Sequence, residues 1–445
     1  MKLSSIFGQS GYRTPLLSYT TLVILFVVMS VWRCATSGVV ECGDSFSYYT
    51  AWYMFTHGLP DLYRTPLYPL VIGSLDSIFG HTIGARVTVL LQYSLYLVAA
   101  RYLRLMALRV TRSPKASFWI VAYFLLWPGC TGYNNWILTE PFAVAGTIFM
   151  SWFLIKSLPA LPSPADAIRA GVWMMFLILL RPIFIIVLPL AVALYAVAWW
   201  RSRKSHCRRA IVTPLVMLLL NGALVGGYTQ WMHANYGIRT MSFISTVNNY
   251  FLLRQAHVHE PDIITDPRTR AVVDRLHSER GGNNGHLEWG QVTYTVPLAN
   301  PGEFELYVNH SLRSHPGRVA RVLGYRLVKG VFVTDFNGDL DDTFGWMMPP
   351  MLYYYLAMAV IVALWVAAWI RTRRFPLTSA YLIALTLAFS LTAWIGAMSQ
   401  WARLPLPGNF AFYLLLGQAV SLLSVRVRPD WAARIAPGPD SDNNP

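Results

Sequence analysis

The chain has 445 residues, of which 55% are hydrophobic and 13% charged, with 17 Trp and a mean hydropathy of +0.41; so apolar a composition excludes a water-soluble enzyme of this size. Lys and Arg number 36 against 21 Asp and Glu, a net charge of +15, which in a soluble chain would point to nucleic acid. Here it follows from basic loops on one side of a membrane, and without interleaved aromatics in an extended basic domain no nucleic-acid partner is expected.

Apolar runs near the ~20 residues that cross ~30 Å of hydrocarbon recur from end to end. They predict an all-α polytopic membrane protein with about ten transmembrane helices, centred near Val27, Leu91, Phe124, Phe149, Leu177, Ala191, Leu218, Val360, Leu387 and Leu416. The first run lacks a small-residue cleavage site and is read as a retained helix. With a cytoplasmic N-terminus, the inside segments hold 20 of the 36 basic residues, among them Arg101, Arg104, Arg109, Arg112, Lys115 and the Arg201–Arg209 cluster. Only Asp166, Asp430, Asp440 and Asp442 oppose them there, so every loop is oriented the same way and both termini face the cytoplasm. Cys34, Cys42, Cys130 and Cys207 form no C-x-x-C pair, which argues against a metal knuckle or a disulfide framework.

This pattern divides the chain into an N-terminal transmembrane module of about seven helices, residues 1–228, with a first external loop at 37–81. An external domain at 229–346 follows, then a C-terminal module of about three helices at 347–424 and a cytoplasmic tail at 425–445. The external domain carries 11 Arg and Lys, 12 Asp and Glu and seven of the ten His, a near-neutral balance suited to an exported domain too long to be a mere connector. Within it, Val319, Val322, Leu323, Leu327 and Val331 alternate with Arg318, Arg321, Arg326 and Lys329 at helical spacing, predicting a helix on the membrane surface from Pro316 to Phe332. The tail from Arg434 is rich in Pro, Asp and Asn and reads as disordered.

Charged residues near the outer ends of the spans are the functional candidates. The first external loop reads Gly43-Asp44-Ser45-Phe46-Ser47-Tyr48-Tyr49 and, about twenty residues on, Arg64-Thr65-Pro66-Leu67-Tyr68-Pro69. Later come Leu138-Thr139-Glu140-Pro141, Leu180-Arg181-Pro182 and Arg403-Leu404-Pro405-Leu406-Pro407. These stretches resemble the GT-C superfamily of membrane glycosyltransferases, especially bacterial relatives of protein O-mannosyltransferases and of the lipid A aminoarabinose transferase. The likeness is good over residues 38–200 and loose beyond. Members carry an acidic residue at the start of the first external loop and an R-x-P-x-Y-P-like stretch entering a surface helix.

The resemblance implies an integral membrane glycosyltransferase of the hexosyl- or pentosyltransferase class. It would move a sugar from a polyprenyl-phosphate donor to a lipid, glycan or protein acceptor, with inversion, on the periplasmic or outer face of a bacterial inner membrane. Such a reaction needs a base for the acceptor proton and cations for the departing phosphate. Asp44 suits the base, a carboxylate in a low-dielectric cavity being a good proton acceptor; its structural alternative is to cap the following helix. Glu140 is a second catalytic-site carboxylate or a solvated loop residue. Arg64, Arg181 and Arg403 suit the donor phosphate, with snorkelling to lipid head groups as the alternative. Tyr48, Tyr68 and Trp401 are candidates to line the sugar or lipid groove, although interfacial aromatic belts explain such residues equally well. No cofactor is demanded; a divalent cation would fall to Asp44 and Glu140.

His257-Val258-His259-Glu260 lacks the H-E-x-x-H spacing of a zinc helix, and Asp335–Asp342 misplaces the glycine and terminal Glu of a calcium loop. The rival from another functional class is a transporter or flippase for a lipid-linked glycan. It should show repeated halves and keep its ionisable groups near the bilayer midplane, and no internal repeat is visible.

Overall fold

The structure, a computed structural model, describes residues 18–158, 163–201, 212–278, 292–293, 295–296, 299–332, 351–372, 377–396 and 404–424. In chain order the helices are α1 (Tyr19–Ser37), α2 (Gly43–Thr56), α3 (Leu67–Phe79), α4 (His81–Thr111), α5 (Pro114–Leu126), α6 (Glu140–Lys156), α7 (Pro164–Leu180), α8 (Val187–Arg201) and α9 (Val212–Tyr236). They continue with α10 (Ile244–Gln255), α11 (Pro267–Ser278), α12 (Pro301–Ser314), α13 (Pro316–Phe332), α14 (Met351–Thr372), α15 (Leu377–Gly396) and α16 (Leu406–Ser424). All ten expected span centres fall on helices. Among the described residues five helices are long and apolar enough to cross a membrane: α1, α4, the run Pro182–Trp200 that includes most of α8, α9 and α15. The protein is an integral membrane protein of all-α class.

Helix α6 occupies the middle of the bundle, because its sequence is apolar all round and nearly every residue is buried. It packs on α4, α7 and α16. Gly146 brings α6 and α7 together, since a Cβ there would stand 2.9 Å from the Leu177 side chain. Two further helices, α2 and α3, fill the first loop between α1 and α4 and pack on each other. The amphipathic stretch expected at Pro316–Phe332 forms α13, which lies against α10, α14 and α15.

One pairing outside the helices determines where the charged residues meet. Gly38 ends α1 with a φ of 64°, a conformation glycine adopts without penalty. The chain then runs beside the segment preceding α6: Val40 N–H donates to the Asn135 carbonyl and Ile137 N–H to the Val40 carbonyl, both at 2.9 Å. Gln92 of α4 holds the same segment, its Nε2 donating to the carbonyls of Asn134 at 2.8 Å and Trp136 at 2.9 Å.

Candidate active site

That pairing starts α2 and α6 side by side. Ser45 Oγ on α2 donates to the Ile137 carbonyl at 2.8 Å and also accepts from the Cys42 N–H at 3.0 Å. Cys42 is therefore the N-cap of α2, with Ser45 closing a capping box. Asp44 stands one residue inside the first turn rather than at the cap, near the positive end of the helix dipole.

From there Asp44, Ser47 and Tyr48 project from one face, at the i, i+3 and i+4 spacing of a helix. All three meet the guanidinium of Arg64. Nη2 is 2.6 Å from Asp44 Oδ1, Nε donates to Ser47 Oγ at 2.8 Å, and Nη1 reaches Tyr48 Oη at 3.5 Å. The Arg64 Cζ lies 4.5 Å from the Tyr48 ring centroid, a cation–π geometry. Burial raises the Tyr48 hydroxyl above its ordinary range, against the pull of Arg64, so at neutral pH it remains a neutral phenol. Burial opposes the charge on Arg64, yet its surroundings, with the Asp44 carboxylate in direct contact, raise its proton affinity overall.

The Arg64 backbone is fixed by Asp61, whose Oδ1 accepts the N–H of Tyr63 at 2.9 Å and of Arg64 at 2.6 Å. Burial pushes the Asp61 carboxyl up and these two donors pull it back. Asp61 and Ser47 escaped the sequence reading. Ser47 was detectable as the residue one helical turn after Asp44, but the contact with Arg64 was not.

A second ion pair stands beside the first. Glu140 opens α6, followed by Pro141 in the turn where a missing N–H costs nothing. Its Oε1 lies 2.7 Å from Nη1 of Arg181, which ends α7 just before Pro182. Both pairs act electrostatically on the Tyr48 hydroxyl, so the four charges share one neighbourhood. They differ in access. The Glu140 side chain is 1% exposed and Arg181 20%, against 26% for Asp44 and 12% for Arg64.

Of the expected groove aromatics, Tyr48 is buried and Tyr68 wholly so. Tyr68 packs edge-on against Tyr48 at 4.8 Å and Phe142 at 5.5 Å, and donates to Gln92 Oε1 at 3.1 Å. It backs the ion pairs and does not line an open groove. Arg403, Trp401 and Asp335–Asp342 lie outside the described residues.

The two carboxylates considered for a cation each face an arginine, and among the described residues no group of three or more His, Cys, Asp or Glu side chains is placed to hold a metal ion. His259 and Glu260 are engaged with other side chains: His259 stacks on His277 at 3.9 Å and Glu260 pairs with His315 at 2.5 Å.

No protein-family model matches the sequence, and no curated protein does. Solved structures do. The oligosaccharyltransferase of Archaeoglobus fulgidus in its apo form matches over 97% of this chain at 13% identity with a TM-score of 0.51. The same enzyme in complex with zinc and sulfate matches over 93% at 14% identity with a TM-score of 0.50. The chain spans about half the length of these enzymes, 53% and 51%. ArnT of Cupriavidus metallidurans bound to undecaprenyl phosphate matches over 93% of this chain and 82% of its own, at 15% identity and a TM-score of 0.36. The chain shares its fold with the archaeal oligosaccharyltransferase.

Proposed function

We propose that this protein is a membrane glycosyltransferase that moves a sugar or glycan from a polyprenyl-phosphate carrier to an acceptor, with inversion, at the face of the membrane opposite its basic loops. The observation that carries this reading is the convergence of Asp44, Ser47 and Tyr48 on Arg64, which places a partly exposed carboxylate beside a preorganised guanidinium. In the reaction the bond between the anomeric carbon and the phosphate oxygen breaks, and a bond from that carbon to the acceptor nucleophile forms. The acceptor proton passes to Asp44, and the bonding pair leaves on the lipid phosphate. Charge grows on that phosphate in the transition state, where Arg64, assisted by Arg403, stabilises it.

Arg64 presents five N–H donors, and the contacts to α2 leave its fork able to share an incoming phosphate with Asp44. Glu140 is too deeply buried to meet an acceptor; its role is to orient and neutralise Arg181 at the rear of the same site. No step is routed through a metal. The fold shared with an oligosaccharyltransferase supports the reaction class, and the acceptor is a lipid, glycan or protein. A flippase has no use for a base, which makes Asp44 the decisive residue. With purified protein and lipid-linked donor extracted from native membranes, Asp44→Asn should still bind undecaprenyl phosphate while transfer falls steeply. Transfer at the wild-type rate by that variant would dismiss the mechanism.

A further inference from the structure

The loop that presents Arg64 is also gripped by residues about 180 to 230 positions further along the chain. The Tyr236 hydroxyl donates to the Pro60 carbonyl at 2.6 Å, the Phe243 N–H to the Leu62 carbonyl at 2.9 Å and the Ser242 hydroxyl to the Tyr63 carbonyl at 2.6 Å. Tyr63 in turn donates its hydroxyl to the Thr293 carbonyl at 2.8 Å, and its ring meets Phe243 edge-on at 6.2 Å. Three of the four carbonyls just before Arg64 thus accept from the segment 236–243. The residue between them, Asp61, braces the loop from within through its side chain.

We infer that Ser242 and Tyr63 are positioning residues for Arg64, so that the region after α9 forms part of the frame of the phosphate site. This rests on the phosphate-binding role given to Arg64 above. Stabilising charge that develops on a leaving oxygen depends on the cation standing at the right distance before the reaction begins. A long side chain on a ten-residue loop has that precision only if its backbone is held. The α2 face fixes the guanidinium, and the 236–243 segment fixes the carbonyls behind it. Losing one of these bonds lets the loop shift while both elements stay folded.

Undecaprenyl phosphate is the probe, since it carries the phosphate that remains on the carrier after transfer. Its affinity for the purified full-length protein in detergent is measured for Ser242→Ala, Ser242→Thr, Tyr63→Phe and Arg64→Ala, and for the first and third combined with Arg64→Ala. Thermal unfolding is followed in parallel. Ser242→Ala and Tyr63→Phe should each weaken binding about fivefold, the scale of one lost hydrogen bond, without a matching change in unfolding, and Ser242→Thr should retain affinity. On the Arg64→Ala background the same changes should add nothing further. If their effects multiply with that of Arg64→Ala, they act elsewhere and the inference is overturned. If Arg64→Ala alone binds as the wild type does, the phosphate-binding role of Arg64 falls and takes the inference with it.

Discussion

The two arginine–carboxylate pairs have the same chemistry and nearly the same separation, 2.6 Å for Asp44–Arg64 and 2.7 Å for Glu140–Arg181, yet their surroundings give them different work. Asp44–Arg64 joins a helix face to a loop, and its carboxylate remains a quarter exposed. Glu140–Arg181 joins the start of α6 to the end of α7, with its carboxylate sealed. A sealed carboxylate cannot take a proton from an incoming substrate without the bundle opening, whereas an accessible one can. The comparison teaches that two pairs of the same residue types differ in depth, which is the ground on which the proposed mechanism separates chemistry from support. On the proposed mechanism, Glu140 contributes to the fold what Asp44 contributes to the reaction.

Swapping the consequences of mutation would break that division. The largest expected effect is on transfer by Asp44→Asn, which should fall about 10² to 10⁴-fold, the usual contribution of a general base, with unfolding little changed. Next in size is Arg181→Ala. Removing one partner of a buried pair costs roughly 3–5 kcal/mol, so its midpoint of thermal unfolding should drop clearly, and Glu140→Gln added to Arg181→Ala should recover part of the loss. If Arg181→Ala unfolds like the wild type but transfers no sugar, the second pair belongs to the chemistry after all. The smallest effect is that of Ser47→Ala, which removes one acceptor from Arg64 and should lower transfer about tenfold, with Ser47→Thr close to wild type. A loss as large as that of Asp44→Asn would mean that Ser47 touches the substrate.

Hydrophobic runs made the helical bundle legible, because a span must be apolar over most of its length whatever it packs against. The charged motifs likewise drew attention to Asp44, Arg64, Glu140 and Arg181, since ionisable groups at span ends are conspicuous. What could not be read was who pairs with whom. Asp44 was assigned to a proton and Arg64 to a phosphate, but their mutual contact depends on the angle between α2 and the loop after it. Tyr68 looked like a groove residue by composition, whereas its burial follows from the Tyr48–Tyr68–Phe142 packing of three separate helices. Ser47 meets a guanidinium, Ser242 a backbone carbonyl and Asp61 two backbone N–H groups, contacts that several polar residue types could make. Their identity alone therefore signals nothing.

The short pairing of Val40 with the segment around Trp136 also bears on how the protein is made. Nearly a hundred residues and the helices α2 to α5 lie between its two sides. Closing so long a loop carries an entropic cost that local helix formation does not face. Helices can enter the membrane one after another as the chain is synthesised, but Asp44 and Glu140 become neighbours only after α6 has arrived. The charged cluster therefore depends on a long-range closure, and a nascent chain halted before residue 140 holds both residues of the first ion pair without the segment beside which α2 starts.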